Sequence, residues 1–376
     1  MNLSSLSRRR LLQSGLLLSA QPLLARTGLA TPPARVAVVG AGMAGLAAAL
    51  ELEALGYDVT LLEAQSRSGG RNWTVRRGDW IADLDGSRQH CAFSPGQYLN
   101  AGPWRILPAH RRVLDYARQF GVALEPVAAD RQAGSLRPVG GMDVLPRRMR
   151  EAFRGRLISG ARVHSVQRPS GRGGVIVAYR QTEHETLMEA DYVLLTLPLN
   201  LLARLQLPIS EALEVALTRL QPADALKLAF ELEGLPAHSP PAAEASPDWQ
   251  LHWPQGEHPQ QRIVSLYANG RALAHALKGD DAHQLAFARA QIVARLSGSQ
   301  ELQAPLRVQW SRIPCQQAAA VRFVGSPDAI RQLAAGQPPL FFAGDGLSSM
   351  NGWQEGAVES AQQAVRQLHR FHAASA

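Results

Sequence analysis

Residues 35–63, RVAVVGAGMAGLAAALELEALGYDVTLLE, decide how the rest of the chain is read. RVAVV is a continuous apolar run of the kind that fills a strand buried on both faces, and DVTLLE is a second one. Between them, residues 43–56 are helical in pattern and closed by a glycine. The sum is a βαβ unit. Its first turn carries Gly40-Ala41-Gly42-Met43-Ala44-Gly45. Gly40 permits the tight turn, Gly42 lets a pyrophosphate approach the backbone, and Gly45 lets helix and strand pack closely. The helix opening at Met43 and Ala44 attracts phosphate through its free N–H groups. Glu63 ends the second strand 18 residues after Gly45, where a carboxylate accepts hydrogen bonds from both ribose hydroxyls. The alternative is a chance glycine-rich turn.

The next stretch is Glu63-Ala64-Gln65-Ser66-Arg67-Ser68-Gly69-Gly70-Arg71. Its backbone from Ala64 to the glycine pair lies ready for a ligand, and Arg71 neutralises phosphate. A plain nicotinamide-binding fold has no need of this element, so it favours FAD over NAD. A solvated basic loop is the plainer alternative.

The 376 residues, 46% hydrophobic and 19% charged, suffice for one large domain or two ordinary ones and exclude a disordered or collagen-like chain. Two cysteines, Cys91 and Cys315, allow one disulfide at most and no cysteine-rich zinc cluster. No metal-ligating spacing is present among the histidines. The net charge of +8 is uneven: residues 1–30 hold Arg8, Arg9, Arg10 and Arg26 and no acid. The basic balance is therefore partly a targeting signal, and no nucleic-acid partner is expected. Arg8-Arg9-Arg10, followed by an apolar run over 16–25 and small residues to Ala30, reads as a twin-arginine export signal, with a basic tail as the alternative. Export to the periplasm or medium is the expectation. No segment reaches the length of an uninterrupted membrane span, so an integral membrane protein is not expected.

Beyond residue 70, helices are expected at 110–121, 142–153, 210–220, 281–297 and 353–371. Strands are expected near 162–168, 174–180, 191–197, 225–233, 262–268, 306–310 and 339–344. Residues 127–140 read as a short connection and 234–262 as an irregular excursion. The fold class is α/β: a Rossmann-type FAD-binding domain with a second, mixed-sheet substrate domain. The expected division is a signal over 1–30, FAD-binding parts at 31–105, 139–200 and 311–376, a short segment at 106–138, and the substrate domain at 201–310.

Three motifs together resemble the flavin-containing amine oxidases: GAGMAGL at Gly40, the run from Glu63 to Gly69-Gly70-Arg71, and FFAGD with NGWQEGAVESA near the C-terminus. A further segment, Tyr98-Leu99-Asn100-Ala101-Gly102-Pro103-Trp104-Arg105 with His110 five residues on, is similar to the L-amino-acid oxidases. There the segment usually has Met where Trp104 stands. The resemblance implies FAD contacts from Gly102, Pro103, Trp104 and Arg105, from the strand at Val163, from Asp345, and from the helix opening Gly352-Trp353-Gln354-Glu355-Gly356-Ala357. It implies that Arg105 pairs with a substrate carboxylate, which a guanidinium fork matches in one plane. It also implies that Lys227 holds a water against flavin N5, and that Gly352 and Trp353 wall the substrate cavity. Lys227 is one of only two lysines among 39 basic residues. The plainer alternatives are a structural ion pair for Arg105, core packing for Trp353 and Val163, and a strand-edge lysine for Lys227. His252-Trp253 either lines the cavity or lies on an exposed loop.

There are departures from the family pattern. Asp345 replaces a glutamate. The helical insertion that roofs the cavity is reduced to about 128–138. No cysteine aligns with a covalent flavin attachment, so noncovalent FAD is expected. The implied activity is oxidative deamination of an amine, foremost an L-amino acid, by hydride transfer to flavin N5. The products are an imine, then a keto acid, ammonia and, with dioxygen as acceptor, hydrogen peroxide. A partner subunit or homodimer that completes the unroofed site is the second expectation. A non-catalytic flavin-binding subunit is the third.

Overall fold

Five parallel strands form the central sheet, in the order Leu340–Phe342, Tyr192–Leu195, Arg35–Val39, Asp58–Glu63, Arg156–Ser159. The computed structural model describes residues 32–127, 132–171, 173–234, 249–253, 261–296, 301–325 and 327–375. The export signal expected at 1–30 lies outside them.

Strict alternation divides the sheet between two apolar layers. Val36, Val38, Leu61, Leu194 and Phe341 face helices Met43–Ala54 and Gln354–Ser375, with Arg111–Gln119 and Val144–Ala152 beyond. Ala37, Val39, Leu62, Val193, Leu195 and Phe342 face an antiparallel sheet of Arg162–Gln167, Val175–Gln181 and His184–Ala190. Burial on both sides is why these strands read as unbroken apolar runs. Helix Met43–Ala54 is wedged between the sheet and the terminal helix, and its Ala44, Ala47, Ala48 and Ala49 are all buried. It ends in a Schellman turn: Tyr57 N–H donates to the Leu52 carbonyl, Gly56 N–H donates to that of Glu53, and Gly56 takes φ +87°.

The second layered unit is a four-stranded antiparallel sheet in the order Trp249–His252, Ile263–Ala268, Leu226–Leu232, Leu302–Gln309. Leu226, Leu228, Phe230, Val264 and Leu266 pack beneath helices Gly270–Ala276 and Asp281–Val293. The opposite face carries Lys227, Ala229, Tyr267 and Val308. In register, Gln250 pairs with Tyr267, Tyr267 with Lys227, and Lys227 with Val308. On the helix-covered face of this sheet Arg307, its side chain 1% exposed, pairs with Asp83, 3% exposed, and with Asp281 at 3.2 Å. Arg312 joins the network through Asp83 at 3.0 Å and Asp85 at 2.6 Å. These pairs tie the turn after strand Trp80–Ala82 to the sheet. Residues from Pro33 onward form one compact unit, so the two layered parts share a common body.

Several elements differ from expectation. Strands Arg156–Ser159 and His184–Ala190 and helix Pro327–Ala335 carry no clear sequence signal. The first is four residues long, and the second lies at the margin of its sheet with most side chains outward. The strand expected at 306–310 begins earlier, at Leu302. The span 234–262 holds the strand Trp249–His252, while 235–248 and 254–260 lie outside the described residues. Within 127–140, Leu136–Pro138 pairs with Leu124–Pro126 as a small hairpin.

Candidate FAD and substrate cavity

Ligands of open α/β sheets bind beyond the carboxyl ends of the strands. In this chain Gly40, Glu63, Thr196 and Asp345 follow or end four of the five parallel strands, and all line one cavity of about 590 Å³.

The glycine positions explain themselves sterically. Gly40 takes φ +102°, with Thr196 Oγ1 where a side chain would start. A Cβ on Gly45 would lie 1.8 Å from the Gly40 carbonyl oxygen, so only glycine lets the helix approach its own turn. Gly42 meets Gly69 backbone to backbone, and Gly69 N–H donates to the Ala41 carbonyl at 2.7 Å. The cradle is therefore bare peptide at a helix N-terminus, which suits a pyrophosphate. The Glu63 carboxylate, 7% exposed, accepts from Ala41 N–H at 2.7 Å and Gln65 N–H at 2.8 Å. Burial raises its pKa, opposed by those hydrogen bonds and by Arg67. Met43, Ala44, Ala64 and Val163 also line this end. Acid side chain, bare loop and helix opening together fit the adenosine diphosphate half of FAD. Glu63→Ala is expected to weaken FAD binding to the apoprotein by about 1–3 kcal/mol, read by flavin titration.

Arg71 and Asp345 face each other. The guanidinium makes two hydrogen bonds to the Asp345 carboxylate and one, at 2.7 Å, to the Ala319 carbonyl. Asp345 also accepts from Gly352 N–H at 3.0 Å. The shorter acid thus binds the glycine before the terminal helix directly. Gln354, in the first turn of that helix, accepts from Asn72 Nδ2 at 2.7 Å.

At the other end, Lys227 is 3% exposed and donates to the carbonyls of Asn100 and Gly102. Trp310 Nε1 donates to the intervening Ala101 carbonyl at 3.2 Å. Three consecutive carbonyls are therefore gripped from the four-stranded antiparallel sheet and the turn that follows its strand Leu302–Gln309. A Cβ on Gly102 would lie 1.8 Å from the Arg71 carbonyl oxygen, which fixes the turn from its other side. This turn delivers Pro103, Trp104 and Arg105 to the cavity wall. The Arg105 guanidinium sits 4.7 Å from the Trp104 ring centroid and 5.9 Å from that of Trp353.

Burial pushes the Lys227 pKa from its ordinary 10.5 to about 7. The unfolded chain therefore binds the extra proton between about pH 7 and 10.5, and the stability from this group rises with pH through that window. Thermal melts at pH 6.5 and 9.5 are expected to show the native protein gaining on Lys227→Met at the higher pH.

Of the expected site residues, Gly45, Glu355 and Gly356 lie outside the cavity lining. Gly45 acts through packing. Glu355, 1% exposed, accepts from Arg112 N–H and Val113 N–H at 3.1 and 3.0 Å, so it caps helix Arg111–Gln119. Gly356 backs on the Met350 carbonyl, 2.4 Å from where a Cβ would stand. Gly352, Trp353 and Ala357 line the cavity as expected. Trp253 is core, whereas His252 packs against Trp104. Tyr267 and Gln250 also line the cavity and were not singled out. They join Lys227 through cross-strand register, which alternation along a single strand does not reveal. Cys91 and Cys315 are both free. Among the described residues no cluster of metal ligands occurs, and no helix is long and apolar enough to cross a membrane.

The profile of flavin containing amine oxidoreductases matches residues 43–133 and 127–369. An L-amino acid oxidase of Crotalus durissus cumanensis, Cdc18, is 43% identical over 103 residues, which is 27% of this chain and 17% of that protein. An L-amino-acid oxidase of Pseudechis australis is 44% identical over 103 residues, with the same coverage of each chain. The matched stretch thus spans less than a fifth of these relatives. A putrescine oxidase redesigned in cofactor binding superposes with a TM-score of 0.68 at 16% identity, covering 90% of this chain and 100% of that one. The α/β architecture with its Rossmann-like sheet is thus shared with that structure, and the chain belongs to the flavin containing amine oxidoreductase family.

Proposed function

We propose that the protein is an FAD-dependent oxidase that deaminates an L-amino acid, with FAD held noncovalently. The observation that carries this reading is the Arg105 guanidinium, set between two indoles in the cavity that also holds Lys227 and the bare-peptide cradle. Bound FAD would supply the acceptor for the hydride on the carbon bearing nitrogen. The residues of the chain bind and orient. Glu63 and the loop from Gly40 to Ala44 would hold the adenosine diphosphate half, and Arg105 would take the carboxylate in a planar fork. Trp104 and Trp353 would keep water from that pair. Lys227 holds the turn that carries Arg105, and its depressed pKa keeps part of its population neutral near pH 7. The overall reaction takes an amino acid, dioxygen and water to a keto acid, ammonia and hydrogen peroxide.

A second reading, a site closed by a partner subunit or second copy, is favoured by Leu84. This residue lines the cavity yet is 53% exposed. Export by the twin-arginine route is part of the proposal, because that route carries proteins already loaded with cofactor.

An anaerobic bleaching screen tests the reading. L-amino acids are expected to bleach the yellow protein, and acid precipitation is expected to release all flavin to the supernatant. Bleaching by diamines in preference to amino acids would refute the carboxylate reading. Flavin retained in the pellet would refute noncovalent binding.

A further inference from the structure

Five rings and one guanidinium form a continuous column, of which Tyr267, Trp104, Arg105 and Trp353 line the cavity while His252 and His110 stand behind them. Tyr267 lies nearly parallel to His252, centroids 6.3 Å apart at 16°. His252 lies on Trp104 at 4.4 Å and 30°. Arg105 follows between Trp104 and Trp353. Trp353 then meets His110 edge-on at 4.9 Å. The members come from separate segments: the strand Ile263–Ala268, the end of the strand Trp249–His252, the turn at 102–105, the mouth of the terminal helix and the cap of helix Arg111–Gln119.

We propose that His252 is a positioning residue for substrate binding: its imidazole, packed on Trp104 and in offset contact with Tyr267, fixes the Trp104 ring and through it the plane of the Arg105 guanidinium. The assignment rests on the carboxylate reading of Arg105 given above. Among the described residues, His252 Nε2 is buried without a hydrogen-bond partner. Two ring contacts, a close one to Trp104 and an offset one to Tyr267, flank the imidazole. Burial and the positive charges of Lys227 and Arg105 lower its pKa to about 3, so the ring stays neutral and does not repel the guanidinium it helps to place. A planar fork matches a carboxylate only in one orientation, so an indole free to rotate beneath it would spread the fork over unproductive angles. A flat ring stacked on that indole removes this freedom.

The test uses the FAD-loaded protein, with benzoate binding read from the flavin absorbance and with steady-state kinetics on an L-amino acid and its decarboxylated amine. His252→Ala is expected to weaken benzoate binding about tenfold, the upper range for one aromatic pair. KM for the amino acid rises by a similar factor, kcat stays within about twofold, and the amine is unaffected. His252→Phe restores a flat ring and is expected to recover binding to within about threefold of native. Trp104→Ala removes the next ring of the column and is expected to show the same carboxylate-selective loss, which serves if His252→Ala folds poorly. Native-like benzoate binding by His252→Ala overturns the assignment. So does an equal loss for the plain amine, or a failure of His252→Phe to recover. If native protein itself binds no benzoate and prefers the amine, the carboxylate reading of Arg105 falls and this assignment falls with it. Tight native binding with an unaltered variant sinks the role of His252 alone.

Discussion

Arg105→Ala is expected to lower kcat/KM for an L-amino acid by about 2–5 kcal/mol, roughly 30-fold to several thousandfold. On the proposed reading, the substitution would leave a substrate carboxylate facing indole rings where a guanidinium stood. Arg105→Lys recovers only part, because an ammonium cannot match two oxygens in one plane. On the carboxylate reading, the decarboxylated amine is expected to be a poor substrate for the native protein and to lose little further in the variant. Rates on matched pairs of amino acid and amine decide the matter. A native preference for the amine, unchanged by Arg105→Ala, would leave Arg105 with a purely structural role.

The second large effect is on stability. Asp83→Ala is expected to cost about 3–5 kcal/mol, because it strips a partner from Arg307, which is almost wholly buried. Asp281 remains at 3.2 Å but is about half exposed on its side chain, so it screens the orphaned charge poorly. Replacing both members, Asp83→Leu with Arg307→Met, is expected to recover much of the loss, since a well-packed apolar pair needs no desolvation of charge. Urea unfolding of the three proteins measures this. A single variant as stable as native would show that water reaches the guanidinium.

The cofactor end was largely legible in the sequence because its constraints are local. Gly40, Gly42 and Gly45 answer to a turn, a helix and a strand within 30 residues of one another, and Glu63 closes the same unit. That Lys227 and the turn at 102–105 share the other end of the cavity was legible from a motif and a rare residue type. What joins them was not. Lys227 reaches the Asn100 carbonyl across 127 positions of sequence, and Arg71 reaches Asp345 across 274. Such pairings carry no periodicity. Glu355 misled for a related reason. It lies at the mouth of a helix aimed at the cavity, yet its side chain turns toward Arg112 and Val113, whose N–H groups need an acceptor. The Arg307 network is equally silent, since one arginine among so many gives no sign that it is buried.

The pairing of the first helix with the last has a consequence for synthesis. Met43–Ala54 is apolar on nearly every side, and one of its covers is Gln354–Ser375, made about 300 residues later. At about 5–20 residues per second the ribosome needs roughly 15–60 s to supply that cover. Throughout that interval the nascent chain carries an uncovered greasy helix and a cradle whose far wall, from Asp345 to Trp353, does not yet exist. Completion of the cavity is therefore a post-translational event in this architecture. A chain stopped before residue 340 would lack both the outer parallel strand and the helix that shields Met43–Ala54, and would be a client for chaperones and proteases rather than a slow enzyme.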